Sequence, residues 1–315
     1  MHDSEEEAIG ALKNGEVSAV SLISGYNISS IDNIHNVRIN EFILPRYIAI
    51  FFNQTKSEIL AEKTVRQALS YATNRQEIME VASGNKGIPI YGPIVPELLG
   101  YNPKLEQDNE FSLEKAKEIL ENNNWKDNDL DGVREKTFRG GEEPVALEIN
   151  IVTVQWPELE KTIRVIKEQW EAAGFRININ SYTLGEIQQD FIRPREYEAL
   201  LFGQAIGIDP DPFSFWHSSQ KKDPGLNLSL YENKRVDKLL EDARQELISD
   251  TRALNYVEFQ EEVSSDIPAI FLYSPAYLYP VNENTKGIGS GKIADPSRRF
   301  SDITEWYIQT KRVWR

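Results

Sequence analysis

Apolar and polar positions along the chain alternate in two rhythms, one of short strands and one of amphipathic helices. Residues 47–52, Tyr-Ile-Ala-Ile-Phe-Phe, form an unbroken apolar run, the pattern of a strand buried on both faces. Leu147, Ile149 and Ile151 alternate with polar neighbours, as do Phe175, Ile177 and Ile179, and each set predicts a half-buried strand. Between them Leu159, Ile163, Ile166 and Trp170 recur at helical spacing and Gly174 stops the helix, which makes one β-α-β unit. Further strands are expected at 17–23, 197–202, 269–273 and, as an amphipathic fragment, 306–308. Helices are expected at 5–12, across 57–72, after the caps Asn74, Ser112 and Asn233, after the capping box Thr183/Glu186, and after Asp250. Loops rich in Pro, Gly and Asp fill 84–100 and 203–227. The fold class is α/β. The first and last elements are too short to bury their own apolar faces, so they are expected to belong to a sheet completed from elsewhere.

Length adds a second domain: 315 residues, at roughly 150 per domain, leave room for a cleft between two cores. Lys and Arg number 35 against 50 Asp and Glu, and a formal charge of −15 repels phosphate backbones and anionic headgroups, which disfavours nucleic acid and membrane surfaces. The absence of cysteine excludes disulfides, thiol nucleophiles and Cys-ligated metals. No apolar run is long enough to insert in a bilayer, and the opening MHDSEEEA is acidic where an export signal is basic and then apolar.

Motifs in order carry a resemblance. They are residues 7–23 (EAIGALKNGEVSAVSLI), Phe51-Phe-Asn53, Thr64-Val-Arg-Gln-Ala-Leu-Ser-Tyr-Ala72 with Asn74-Arg75, and Tyr91-Gly-Pro93. Downstream stand Asp127-Asn-Asp-Leu-Asp-Gly-Val-Arg-Glu-Lys136, Asp209-Pro-Asp-Pro212 with Trp216-His-Ser-Ser219, Tyr231-Glu-Asn233, and Ile267-Pro-Ala-Ile-Phe-Leu-Tyr273. In this order they resemble the family 5 extracellular solute-binding proteins, the oligopeptide and dipeptide receptors of ABC importers. The resemblance implies a periplasmic-binding-protein-like type II fold with lobe two complete and lobe one partial. Residues 1–44 would be a remnant of lobe one with the first hinge, 45–275 lobe two, and 276–315 the second hinge and the return into lobe one. It implies a non-catalytic binding component at the periplasmic or extracellular face, taking a peptide or oligosaccharide ligand and serving ABC permease subunits, here as a C-terminal portion. A carboxylate-dependent hydrolase and a protein-interaction scaffold are the alternatives.

In peptide-binding relatives an aspartate in the segment of Asp209 meets the ligand's α-ammonium, so Asp209, with Asp211 behind it, is a candidate contact; the alternative is a simple turn. An arginine that many peptide receptors carry in the preceding strand is replaced by Leu200-Leu201-Phe202. Trp216 offers a face for stacking, with His217 beside it, or else plugs the loop against the sheet. Tyr91 and Tyr273 complete the candidate cleft. His217 lacks metal-ligand spacing, and no catalytic triad or nucleophile elbow is legible. Asp127, Asp129 and Asp131 with Gly132 match the first half of a calcium loop, but Phe138 stands where the closing glutamate belongs, and an acidic turn explains the run equally well. No other cofactor is expected. Arg66 and Arg75 read as solvated or salt-bridged helix residues.

Overall fold

The computed structural model describes residues 4–108, 110–138, 140–141 and 143–308. Arg46–Phe52, every residue after Arg46 buried, is an inner strand of the main sheet. It pairs antiparallel with Ala199–Ala205 on one side and with Ala269–Asn282 on the other. Beyond Ala199–Ala205 the sheet is parallel: Glu148–Val154 pairs with it and then with Arg176–Tyr182. The helix Pro157–Ala172 makes the crossover and buries Leu159, Ile163, Ile166 and Trp170, as the spacing predicts. The opposite wing is Val37–Ile43, antiparallel to Ala269–Asn282 and flanked by Gly291–Lys292.

Two strands differ from expectation. Ala269–Asn282 runs for 14 residues rather than stopping near Tyr273. Pro275 predicts an end, since it has no N–H for a ladder. In the structure it sits where the strand changes partner, pairing with Arg46–Phe52 up to Tyr273 and with Val37–Ile43 from Ala276 onward, and its own cross-strand neighbour is Gly87, the first residue of the short strand Gly87–Pro89. Val37–Ile43 is absent from the sequence pattern because Glu41 occupies what should be its third apolar position; that side chain is exposed and ion-paired with Lys86. The expected strand at 17–23 is reduced to isolated bridges from Ala19 to Val281 and from Ile23 to Leu278. The expected long helix at 57–72 breaks at Glu62 into Glu58–Ala61 and Lys63–Tyr71. The fragment at 306–308 becomes Tyr307–Ile308, paired with Thr285–Lys286.

The large core lies between the main sheet and its helices and contains Phe51, Phe52, Trp125, Trp170 and Phe259. A smaller cluster joins Ile9, Leu12, Val20, Ile23 and Ile31 to Leu278, so the first described helix and its neighbours rest on the second half of the 14-residue strand. The two points where the chain passes between these regions are adjacent: Ser274 Oγ donates to the Leu44 carbonyl at 3.4 Å, and Ile206 N donates to the Pro45 carbonyl at 2.8 Å.

Candidate ligand-binding edge

The three parallel strands end on one side of the sheet, where ligands of open α/β sheets are held. Arg46 opens its strand beside Ala205, the last residue of the neighbouring strand, while Trp156, Pro157 and Glu158 follow the end of Glu148–Val154. Arg46, Glu158, Trp156 and Tyr26 line a cavity of about 290 Å³. Tyr26 is held beneath Lys161, whose Nζ is 3.6 Å from the ring centroid. Gly25 brings that N-terminal segment so close that a Cβ on it would lie 1.9 Å from the Ser83 carbonyl oxygen, a contact no other residue type permits without displacement.

Arg46 and Glu158 are within electrostatic reach, yet Nε of the first and Oε1 of the second are shut off from solvent with no hydrogen-bond partner among the described residues. Burial pushes the Glu158 carboxyl up, opposed by the Arg46 charge. Burial likewise pulls the Arg46 guanidinium down, opposed by Glu158. Behind them Tyr273 is fully buried, its hydroxyl 2.9 Å from Thr162 Oγ1 and its acidity weakened by burial and then by Glu158. Two half-buried opposite charges beside an open cavity, each with one sealed atom unpartnered among the described residues, leave hydrogen-bonding capacity of both polarities.

The family model described as "Bacterial extracellular solute-binding proteins, family 5 Middle" matches residues 1–225. The chain belongs to that family. It is 26% identical over 306 residues to the oligopeptide-binding protein AppA of Bacillus subtilis, covering 96% of this chain and 54% of that protein. It is 25% identical over 234 residues to the dipeptide-binding protein of Escherichia coli, covering 72% and 40%. Its backbone superposes on the B. subtilis AppA structure, solved with a nonapeptide, at a TM-score of 0.78 and 25% identity, covering 97% of this chain and 58% of that one. NikZ of Campylobacter jejuni, solved with Ni(L-His), shares the fold at a TM-score of 0.78 and 24% identity, covering 96% and 59%. The chain thus spans about half the length of the curated relatives it matches. The α/β fold expected from the pattern is that of this family's structures. No helix among the described residues is long and apolar enough to cross a membrane.

The structure separates the residues singled out in the sequence. Asp209 is an exposed rim residue paired with Arg252 at 3.0 Å. Asp211 accepts from Arg244 Nε through both carboxylate oxygens, at 3.1 and 3.0 Å, and from Nη2 at 2.6 Å, which ties the long loop to the Lys234–Gln245 helix. Trp216 is in the core, 1% exposed and surrounded by Phe51, Tyr231, Phe259 and Phe271, so stacking on a ligand is replaced by the plugging role. His217 caps a turn by accepting from Ser219 N at 3.1 Å and stacks on Phe213, away from any cavity described here. Tyr91 lies under the Arg75 guanidinium, 4.8 Å from its ring centroid, and lines a different hollow of about 490 Å³ with Glu106 and Phe111. Tyr273 reaches the edge from beneath, through Thr162 Oγ1 and the charges of Glu158 and Arg46.

The acidic turn also rearranges. Ligand atoms of Asp127, Asp129 and Glu135 lie within 4.8 Å of one another, whereas Asp131 turns away: Oδ2 is 2.8 Å from Arg176 and Oδ1 accepts from Val133 N. Glu135 therefore takes the place the spacing gave to Asp131. Gly132 N donates to Asp127, Asp131 N to Asp129, and Asn128 N to Glu135. The donor set is of the hard-oxygen type that suits calcium, and the loop closes on its own N–H groups. Arg66 and Arg75 are buried rather than solvated: Arg66 donates to the carbonyls of Leu60, Ala61, Asp266 and Ile267, and Arg75 to that of Phe271. Burial brings each guanidinium down to about 10. Arg46 and Glu158, missed in the sequence, had one visible signal: each is a charge placed directly beside a structural stop, Pro45 and Pro157, at a strand edge.

Proposed function

We propose that the chain is the ligand-binding portion of an extracytoplasmic receptor that captures a peptide and delivers it to an ABC permease, without chemical turnover. The observation that carries this is the pair Arg46 and Glu158, opposite charges with unused hydrogen-bonding atoms at a cavity on the strand edge. A peptide brings carbonyls and a carboxylate for the first and N–H groups and an ammonium for the second; a neutral sugar brings no charge to either. The burial of Trp216 withdraws that ring from any ligand, and Trp156, 48% exposed at the cavity, is the aromatic face left to pack against a side chain. A carboxylate hydrolase finds no support in Asp209 and Asp211, each occupied by its own arginine.

Titrating the 315-residue chain with trialanine, an unrelated nonapeptide and maltotriose, followed by mass spectrometry of the recovered ligand, tests this. Peptides are expected to bind and to be recovered intact. Cleaved peptide, or binding of maltotriose alone, overturns the proposal.

A further inference from the structure

His217 finds no metal ligand in its own stretch of sequence, but the fold brings two carboxylates to it from the Lys234–Gln245 helix. Asp237 and Glu241 stand one turn apart on that helix and so share a face. His217 Nε2 is 3.8 Å from Asp237 Oδ1 and 3.4 Å from Glu241 Oε1. The residue is 8% exposed, and Nε2 is sealed from solvent with no hydrogen-bond partner among the described residues. A buried ring nitrogen that faces two carboxylates and bonds to neither leaves its capacity unused. The ring is also held in place. Phe213 stacks on it with centroids 4.0 Å apart, and Asn227 Nδ2 donates to the carbonyls of Trp216 and His217 at 3.4 and 3.2 Å. Asp237 is fixed by Ser218, whose N donates to Oδ1 at 2.8 Å and whose Oγ donates to Oδ2 at 2.5 Å. The Glu241 side chain is 50% exposed and free to swing onto a shared ion.

We propose that His217, Asp237 and Glu241 form a site for a divalent transition-metal ion, zinc above all, which fastens the long loop to the Lys234–Gln245 helix. Ligand atoms around a tetrahedral zinc stand roughly 3.4 Å from one another, close to the spacings already present around Nε2. Ligation uses the tautomer with its proton on Nδ1, and Ser219 Oγ, 2.8 Å away, is placed to accept that proton. The bond that Nδ1 otherwise accepts from Ser219 N is given up for it. The acidic turn of Asp127, Asp129 and Glu135 offers oxygen alone and suits a harder ion, so the imidazole sets the two places apart.

The test strips the 315-residue chain with EDTA, dialyses it, and titrates it by calorimetry with zinc chloride alone and, separately, calcium chloride. Zinc should bind and raise the thermal midpoint. Glu241→Gln, at a half-exposed position, should weaken zinc about tenfold or more, and Ser219→Ala should weaken it by a similar factor, while Asp129→Asn leaves it unchanged. Imidazole NMR reads the site directly: of the chain's three histidines, zinc should shift the signals of one, and Glu241→Gln should suppress that shift at the same zinc concentration. Failure to bind zinc, or binding that Glu241→Gln leaves unaltered, overturns the proposal and makes His217 a packing residue beside two carboxylates. Zinc binding lost in Asp129→Asn and kept in Glu241→Gln assigns the ion to the acidic turn and overturns it as well.

Discussion

Arg66 is buried and Arg46 half-buried, and they illustrate two settings for a cation drawn out of water. Arg66 directs its guanidinium to four backbone carbonyls where the Lys63–Tyr71 helix meets the end of Ser249–Asp266, and closes helix ends that would otherwise be orphaned. Arg46 stands at the strand edge with Nε unpaired, facing Glu158 with Oε1 unpaired. Satisfaction marks the first as structural. In the second, one atom on each side is left without a partner among the described residues next to a cavity, and these are the atoms the proposed peptide would satisfy.

The largest expected effect breaks the satisfied side. Arg66→Met removes the shared donor and leaves the carbonyls of Leu60, Ala61, Asp266 and Ile267 without it, which should cost about 3 kcal/mol in urea unfolding. A loss under about 1 kcal/mol would show that water replaces the guanidinium and that the contrast is false.

The unsatisfied side should respond with the opposite sign. Glu158→Gln is expected to stabilise the chain by about 1 kcal/mol at neutral pH, because burial disfavours the carboxylate by more than the Arg46 charge and the Tyr273 hydrogen bond offset. Since burial raises the Glu158 pKa above its ordinary 4.5, the native state binds the proton more tightly than the unfolded chain does. The parent's stability from this group is therefore complete below that ordinary value and declines as pH rises through the elevated one. The gap between variant and parent should widen over the same interval, as read by thermal unfolding across a pH series. If the parent instead gains on the Glu158→Gln variant as pH rises, the carboxylate is paired in solution.

The smallest effect sharpens the comparison at the rim. Asp209 pairs with Arg252 while its side chain is 73% exposed, so Asp209→Asn should change stability by less than about 0.5 kcal/mol. A loss above about 1 kcal/mol would place the long loop's anchorage there rather than at Asp211 and Trp216.

Most of the α/β frame was legible because its elements carry strong periodicity: the run at 47–52, the alternating strands and the Leu159-to-Trp170 helix face all occupy the positions their spacing predicts. What escaped depended on tertiary partners. Val37–Ile43 is a strand only because half of Ala269–Asn282 lies beside it, and Pro275 is harmless only because the partner changes there. The site was less legible for the same reason. Trp216 and an exposed stacking tryptophan have identical local sequence, and only the rings of Phe51, Phe259 and Phe271 around it decide between them. Arg46 and Glu158 stand 112 positions apart, so nothing in either neighbourhood announces the other.

The two adjacent passages near Leu44 and Ser274 act together as a pair of door pins. One strand crossing could swivel freely about its own direction, but two crossings side by side, linked from Ser274 Oγ to the Leu44 carbonyl, resist that twist. The ladders to Arg46–Phe52 and to Val37–Ile43 meet at this junction, and Gly87–Pro89 pairs with Tyr273, Ser274 and Pro275 directly across it. The crossing is thus a braced joint, since a bend there has to break the short ladder of Gly87–Pro89 as well.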